Sequence, residues 1–255
     1  MRDGTTRFLW QGREVNHFAG ISCFSERTVV PERALLRIDP GVPWEVAALM
    51  GCAVSTGLEA VWYIARPSPG ESVLVVGAGG VGLNVVQAAH LAGAHPIIVA
   101  DIVPAKLDWA RQQGASHTID ARNTPVVDTA RAPTNGRGVD FAFEVVGHVE
   151  TLQQTYEAVR RGGTCILVGA IEPEATWTLS PVALLRDEKT VRASRHGSTN
   201  LRRAIQLFLD LYRAGRLRVA ELVTRRFGLW NVNQAVQAVE RGEVARAIIA
   251  FDGKE

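Results

Sequence analysis

The apolar residues between about 70 and 195 fall into short runs separated by helical patterns. Runs rich in valine and isoleucine alternate with stretches whose apolar residues recur every three or four positions, which is typical of a parallel sheet with crossover helices. The predicted strands cover 72–77, 96–101, 117–120, 138–144, 164–169 and 189–193. Helices are predicted over 81–91, from Pro104 to a cap at Gly114, and over 150–160, where Gly162 and Gly163 are expected to end the helix.

The two ends of the chain differ from this central region. Residues 1–50 are strand- and turn-like and hold too few apolar positions to close a core, so we expect them to belong to something larger. Amphipathic helices are predicted over 201–214 and 232–241, and a closing strand over 247–251. The expected division is therefore 1–52, 53–196 and 197–255.

Composition narrows the class of protein without naming its chemistry. The hydrophobic fraction is 47%, the charged fraction is 21% and the net charge is +2, which points to neither nucleic acid nor an anionic membrane as a partner. Cys23, Cys52 and Cys165 form no CxxC pair, which indicates a reducing cytoplasm rather than a disulfide framework. Because no apolar run approaches the length of a membrane span and the first residues lack a signal-peptide pattern, we expect a cytoplasmic protein.

A glycine-rich loop follows the first central strand and begins the next helix. Gly77, Gly79 and Gly82 match G-x-G-x-x-G, with Gly80 and Val81 completing the loop. The first glycine permits a tight turn, the second lets the backbone approach a pyrophosphate, and the third lets helix and strand pack closely. The free N–H groups of the helix N-terminus favour phosphate. The pattern predicts a Rossmann-type dinucleotide-binding domain.

Asp101 ends the second strand at about the 20-residue distance at which this fold places a ribose-binding acid. Its carboxylate can accept hydrogen bonds from both ribose hydroxyls and would repel a 2′-phosphate, which favours NAD over NADP as the cofactor. The alternative is an ordinary helix cap or turn acid. Ile102, next in the chain, joins the predicted cofactor-binding set. Lys106 is placed to reach the ribose, although a plain surface lysine fits its spacing equally well.

The chain resembles the zinc-dependent medium-chain alcohol dehydrogenases, nearest to the branch of the glutathione-linked formaldehyde dehydrogenases. The resemblance runs along essentially the whole chain and rests on blocks that stand in the order of that family. These blocks are Asp3-Gly-Thr-Thr-Arg-Phe8, His17-Phe-Ala-Gly20, Phe24-Ser-Glu26, Val29-Val30, Gly51-Cys-Ala-Val-Ser-Thr-Gly57, Gly77 to Leu83 and Phe143-Glu-Val-Val-Gly147.

The resemblance implies roles for particular residues. Zinc would polarise the oxygen of an alcohol or aldehyde while hydride passes to or from nicotinamide. Cys52 matches a zinc ligand and Thr56 a catalytic position beside the nicotinamide. Asp101 and Lys106 match the family's adenosine-ribose pair, and Arg246 a residue that pairs with the cofactor phosphate. The nicotinamide side of the cleft is implied to include Val81, Val145, Val146, Val168 and Gly169.

The sequence also departs from that family. Its members begin with a β-rich, GroES-like catalytic domain that carries the other zinc ligands and a four-cysteine lobe, and residues 1–52 match only the remnant of that domain. We expect an N-terminally truncated chain whose single cysteine falls short of the usual three zinc ligands. Cys52 is then either a ligand or a buried inert thiol. His196 is either a contact to the cofactor or substrate, or a structural histidine.

Two functions follow as hypotheses. One is an NAD- and zinc-dependent dehydrogenase that interconverts an alcohol with an aldehyde or ketone, and the other is an NAD(H)-binding module without turnover. A zinc-independent reductase of the quinone reductase kind is a third hypothesis, and the Gly51-Cys52 block argues against it. The resemblance further implies a homodimer that pairs through the sheet edge around residues 164–185.

Overall fold

The computed structural model describes residues 4–17, 21–196 and 199–251. Their strands are β1 (Phe8–Trp10), β2 (Arg13–Val15), β3 (Val73–Val76), β4 (Ile97–Asp101), β5 (His117–Asp120), β6 (Val139–Glu144), β7 (Val159–Leu167), β8 (Thr190–Ala193), β9 (Val223–Gly228) and β10 (Arg246–Ala250). Their α-helices are α1 (Trp44–Leu49), α2 (Ser55–Glu59), α3 (Gly80–Leu91), α4 (Pro104–Gln112), α5 (Val126–Arg131), α6 (Val149–Ala158), α7 (Pro181–Asp187), α8 (Leu201–Arg213) and α9 (Val232–Glu240).

The chain divides into two compact units. The larger covers 42–222, and the smaller combines 1–41 with 223–255. These limits differ from the expected boundaries at 52/53 and 196/197, because the helix that starts at Trp44 and the helix α8 both belong to the larger unit.

The larger unit is built on a six-stranded parallel sheet in the order β5-β4-β3-β6-β7-β8. Every residue of β3 and β4 is buried, as expected for central strands covered by helices on both faces. Numbered from the first strand of the sheet, this order is 3-2-1-4-5-6, the strand order of the Rossmann fold. The predicted α/β Rossmann class is confirmed.

One predicted helix end is wrong. Helix α6 ends at Ala158, and strand β7 begins at the next residue. Val139 pairs with Val159 while Phe141 pairs with Thr164, so residues 160–163 bulge opposite the single residue 140. The two glycines therefore lie in a bulge within the strand instead of ending a helix.

A long apolar helix, Trp44–Ala65, precedes the sheet and contains two π-helical segments, Met50–Val54 and Ala60–Ala65. It is long and apolar enough to span a membrane by length and composition, which corrects the expectation that no apolar run approaches that length. Within the protein, 67% of its most apolar window is buried. That share is typical of a core helix.

The smaller unit holds short elements. Strands β1 and β2 pair as an antiparallel ribbon, while β9 and β10 pair in parallel with α9 between them in the chain. A small core of Phe227, Ala235, Ala238 and Val244 lies among these later elements. The strand predicted over 247–251 is β10, shifted by one residue.

Candidate functional site

The glycine-rich loop joins β3 to α3 in the larger unit. Gly77 has a φ of +102°, and a Cβ there would lie 2.8 Å from Cγ2 of Val146. A Cβ on Gly82 would lie 1.9 Å from the carbonyl oxygen of Gly77. Both positions need glycine for the chain's own packing, one for its backbone conformation and the other for the close approach of helix and loop.

Gly79 is different, because the chain's own atoms do not require a glycine there. Among the described atoms, a Cβ on Gly79 would meet nothing within 4 Å, and its φ of −73° is open to any residue. The open space lies at the N-cap of α3, where the N–H groups of a twelve-residue helix begin. A bare backbone facing free space at a helix N-terminus fits a dinucleotide diphosphate.

Asp101 lies at the carboxyl end of β4 with its side chain turned to this loop. Oδ2 accepts a hydrogen bond from the N–H of Ala78 at 2.7 Å, and Oδ1 accepts one from the N–H of Val103 at 2.8 Å. The residue is 8% exposed. The next residue, Ile102, is 60% exposed, and Lys106 is half-buried in the first turns of α4. The acid thus joins the glycine-rich loop to the edge where a ribose would lie.

A cavity of about 510 Å³ opens beyond the same edge of the sheet. It brings together six of the predicted site residues, namely Cys52, matched to a zinc ligand, and the catalytic or cofactor-binding residues Thr56, Val81, Val145, Val168 and Gly169. Its remaining lining residues are Leu167, Ala170, Ala193, Ser194, Arg195 and His196. Apolar walls with a few polar groups are typical of a site for a cofactor ring.

Helix spacing and a glycine contact explain how Thr56 reaches this cavity. Cys52 and Thr56 are four residues apart in the long helix and therefore lie on one face. A Cβ on Gly57 would be 2.7 Å from the carbonyl oxygen of Val81, so the glycine lets this helix contact the start of α3. Cys52 lies in a π-helical segment, a feature frequent at functional sites.

Comparisons with known proteins agree with this geometry. Residues 80–210 match a family model described as zinc-binding dehydrogenase. An S-(hydroxymethyl)glutathione dehydrogenase of a Synechocystis species is 34% identical over 253 residues, which cover 98% of this chain and 68% of the relative. The chain belongs to the zinc-binding dehydrogenase family. This confirms the resemblance predicted from the sequence blocks.

Two further relatives show how much of a relative's length this chain covers. Alcohol dehydrogenase 3 of Hordeum vulgare is 33% identical over 253 residues, covering 98% of this chain and 66% of that protein. The crystal structure of a benzyl alcohol dehydrogenase from Acinetobacter calcoaceticus has a TM-score of 0.80 at 31% identity, covering 84% of this chain and 59% of that one. The chain spans about two thirds of the length of the curated relatives it matches.

The zinc expected for this family does not find a full ligand set in the described residues. Across 4–17, 21–196 and 199–251, no group of three or more histidine, cysteine, aspartate or glutamate side chains could hold a metal ion. Cys52 is exposed, which corrects the alternative of a buried inert thiol, and it offers one ligand. Because catalytic zinc sites usually have three protein ligands, these residues by themselves do not fit a catalytic zinc ion.

Cys165 shows the opposite environment. It lies buried in β7, and burial raises the pKa of its thiol to about 12, with the nearby charge of Glu144 adding to the shift. Such a thiol stays protonated and inert. Of the two cysteines in this unit, Cys52 is the one accessible for chemistry.

Sequence reasoning missed two buried acids near the cavity. Glu144, at the end of β6, accepts hydrogen bonds from Val146, Gly147 and Thr151. Glu59, at the end of α2, accepts one from the hydroxyl of Thr199, and burial raises its pKa. Glu144 is part of the Phe143–Gly147 block. An acid at the end of an apolar strand is the sequence feature that could have predicted its role. Glu59 gave none, since its burial depends on packing between distant parts of the chain.

Arg246 is a predicted cofactor-binding residue that belongs to the other unit. It is in β10 of the smaller unit and is half-buried. Its pairing with the cofactor phosphate stays a prediction. Val146 also does not line the cavity, but it lies against Gly77 at the turn into the glycine-rich loop.

Proposed function

We propose that this chain binds NAD(H) and forms the nicotinamide side of an alcohol dehydrogenase site that interconverts an alcohol with an aldehyde or ketone. The observation that carries the proposal is a shared edge of the sheet. There Asp101 ends β4, the open backbone at Gly79 follows β3, and two cavity residues, Val145 and Val168, follow β6 and β7, so all four lie at the carboxyl ends of neighbouring strands. Ligands of open α/β sheets bind at this carboxyl edge, where the strand order reverses.

The larger unit's residues divide the work of binding. The N–H groups at Gly79 and the start of α3 would receive the diphosphate. The valines and Gly169 of the cavity would exclude water from one face of the nicotinamide ring. Thr56, 8% exposed in the cavity wall, would offer a hydroxyl beside that ring. When bound, the cofactor supplies the hydride chemistry.

Asp101 supports NAD over NADP. Its two oxygens offer about four acceptor positions, and the N–H groups of Ala78 and Val103 occupy two of them. The remaining positions suit the two hydroxyls of an adenosine ribose. A 2′-phosphate at the same place would face the negative carboxylate.

The proposed dehydrogenase and its alternative differ in whether the protein binds a catalytic zinc ion. The alternative function is an NAD(H)-binding module without turnover, which is favoured by the absence of a three-ligand group among the described residues. Under the first function, the remaining ligands come from outside those residues. The substrate is then a small alcohol or aldehyde, as the relatives' names suggest for the family.

Three measurements on the purified chain test these functions together. Calorimetric titration with NADH measures cofactor binding, metal analysis measures bound zinc, and absorbance at the NADH band measures turnover with a panel of simple alcohols. NADH binding with bound zinc and turnover supports the dehydrogenase. NADH binding without zinc or turnover supports the module, and a folded chain that binds no NADH contradicts both.

We also propose that the protein is cytoplasmic and that it forms a homodimer. A reducing cytoplasm suits three cysteines that are all free, two of them exposed. A homodimer through the sheet edge would use β8, because β8 ends the strand order. The edge strand available for pairing is therefore Thr190–Ala193, just beyond the range 164–185 expected from the sequence. Residues 164–167 of that range belong to β7, which is an interior strand.

A further inference from the structure

Glu144 is a fully buried acid at the carboxyl end of β6 to which the proposed function gives no role. Its Oε1 accepts hydrogen bonds from the N–H of Val146 at 2.9 Å, from the N–H of Gly147 at 2.8 Å and from the hydroxyl of Thr151 at 2.7 Å. Hydrogen bonds to a buried carboxylate are strong, and breaking one leaves a costly unpaired group. The side chain therefore fixes the loop that follows β6.

The same residue fixes a second loop through its backbone. The carbonyl oxygen of Glu144 accepts from the N–H groups of Val168 at 2.9 Å and Gly169 at 3.0 Å. The side chain also lies against Gly169, where a Cβ would be 2.5 Å from Oε2. We call the group Glu144, Val146, Gly147, Thr151, Val168 and Gly169 the Glu144 network.

These two loops follow the neighbouring strands β6 and β7, and both line the nicotinamide-side cavity. Val145 lies in the first loop, and Val168 and Gly169 lie in the second. We propose that Glu144 is a positioning residue for the nicotinamide ring, because its network sets the separation of the two loops between which the ring would lie. The inference rests on the proposed function, since it concerns the same cofactor.

The state of Oε2 supports a role beyond packing. This oxygen is buried and has no hydrogen-bond partner within the described part of the chain. A half-paired buried carboxylate costs stability, and apolar residues of similar volume often serve a core better. Its presence in the core is understandable if the three donors on Oε1 must be held in one arrangement.

The network is centred on the nicotinamide-side loops, and it approaches the glycine-rich loop only where Val146 lies against Gly77. Gly79 and Asp101 would hold the diphosphate and adenosine, and neither contributes to the Glu144 network. ADP-ribose carries the adenosine, diphosphate and a ribose but lacks the nicotinamide. The backbone bonds to Val168 and Gly169 remain in any side-chain variant, so substitution at Glu144 removes only the bonds to Oε1 and the contact with Gly169. Loss of this side-chain part of the network should weaken NADH binding much more than ADP-ribose binding.

The experiment titrates NADH and ADP-ribose into the wild-type chain and into Glu144→Ala, Glu144→Gln, Thr151→Val and Thr155→Val. Glutamine keeps a carbonyl oxygen for the three donors, and Thr151→Val removes one donor while keeping the side-chain shape. Thr155→Val is the matched control, because Thr155 lies one turn along α6 and donates to the carbonyl of Thr151 instead. The fluorescence of bound NADH reports the surroundings of the ring in each variant.

We expect Glu144→Ala to lower NADH affinity by about tenfold or more with ADP-ribose affinity within about twofold. Thr151→Val should lower NADH affinity by about two- to fourfold, while Glu144→Gln and Thr155→Val stay close to wild type. The fluorescence gain of bound NADH should fall in the same order. If Glu144→Ala does not fold, the Thr151→Val and Thr155→Val pair decides.

Other outcomes overturn the inference. Equal losses of NADH and ADP-ribose affinity, or no loss with either, would show that Glu144 serves the fold and not the ring. A wild-type chain that binds ADP-ribose but gains no affinity from nicotinamide would also contradict it, while the proposed adenosine site would stand. A folded wild-type chain that binds neither ligand overturns the proposed function itself.

Discussion

The N–H of Ala78 donates a 2.7 Å hydrogen bond to Oδ2 of Asp101, so one acid joins the glycine-rich loop to the end of the neighbouring strand. The second oxygen is held by the N–H of Val103. An acid fixed in this way would need no rearrangement to receive the proposed ribose, which would lower the entropic cost of binding.

Removing the charge of Asp101 tests this arrangement. Asp101→Asn keeps the shape of the side chain but places an N–H₂ where an oxygen now accepts a hydrogen bond, and the repulsion of a 2′-phosphate is lost. We expect NADH affinity to fall by about tenfold and the preference for NADH over NADPH to shrink. Titration with both cofactors measures this, with Asp128→Asn, an exposed acid of α5, as the control.

Substituting an outer glycine of the loop should destabilise the protein more than substituting the middle one. Gly82→Ala puts a methyl group where the carbonyl oxygen of Gly77 now lies, so we expect a loss of about 2–4 kcal/mol in the free energy of unfolding. Gly79→Ala should cost no more than about 1 kcal/mol, because no atom is displaced and the only loss is that alanine is a poorer N-cap than glycine. Urea unfolding measures both. Equal effects of the two substitutions would contradict the distinction.

Asp140 gives the stability a predictable pH dependence. Burial acts against ionisation, but hydrogen bonds from Arg137, Ser72 and Arg160 outweigh it and hold the pKa of this carboxyl well below its ordinary value. A depressed folded-state pKa stabilises the protein above the unfolded pKa of about 3.9, and this is lost as the pH falls below it.

Asp140→Asn should therefore cost about 1–3 kcal/mol of unfolding free energy at neutral pH and less near pH 3. Urea unfolding of wild type and variant at both pH values measures the difference, with Asp128→Asn again as the control. A cost that is the same at both pH values would show that the ionised form of Asp140 contributes nothing.

The proposed dimer can be tested at its edge strand. Val191, in β8, is 39% exposed, and a lysine on an edge strand disfavours pairing with another strand. Sedimentation velocity at micromolar concentration should show a dimer for wild type and a monomer for Val191→Lys. Val236→Lys, on the exposed side of α9, is the control. A wild-type monomer would contradict the proposal.

Local patterns predicted most of the fold and the positions of the loop and acid that we propose for the adenosine side of the cofactor. The runs that became β3 and β4, the glycines between 77 and 82 and the acid at 101 all lie within about thirty residues, as a βαβ unit allows. The bulge at 160–163 was missed because it depends on pairing with β6, and glycines also end helices.

The Glu144 network was missed for a related reason. Its donors at Val146, Gly147 and Thr151 follow the acid closely, but its contact with Gly169 depends on the pairing of β6 with β7. An acid at a strand end is usually exposed. Burial, which decides its role, is set by tertiary packing.

The most direct test of the account is the titration of NADH into the wild-type chain and into Gly79→Ala. Because a methyl group on Gly79 would meet only the space proposed for the diphosphate, we expect a melting temperature within about 4 °C of wild type and an NADH affinity lower by about tenfold or more. Gly79→Ala binding NADH as tightly as wild type, or a folded wild type binding none, would contradict it.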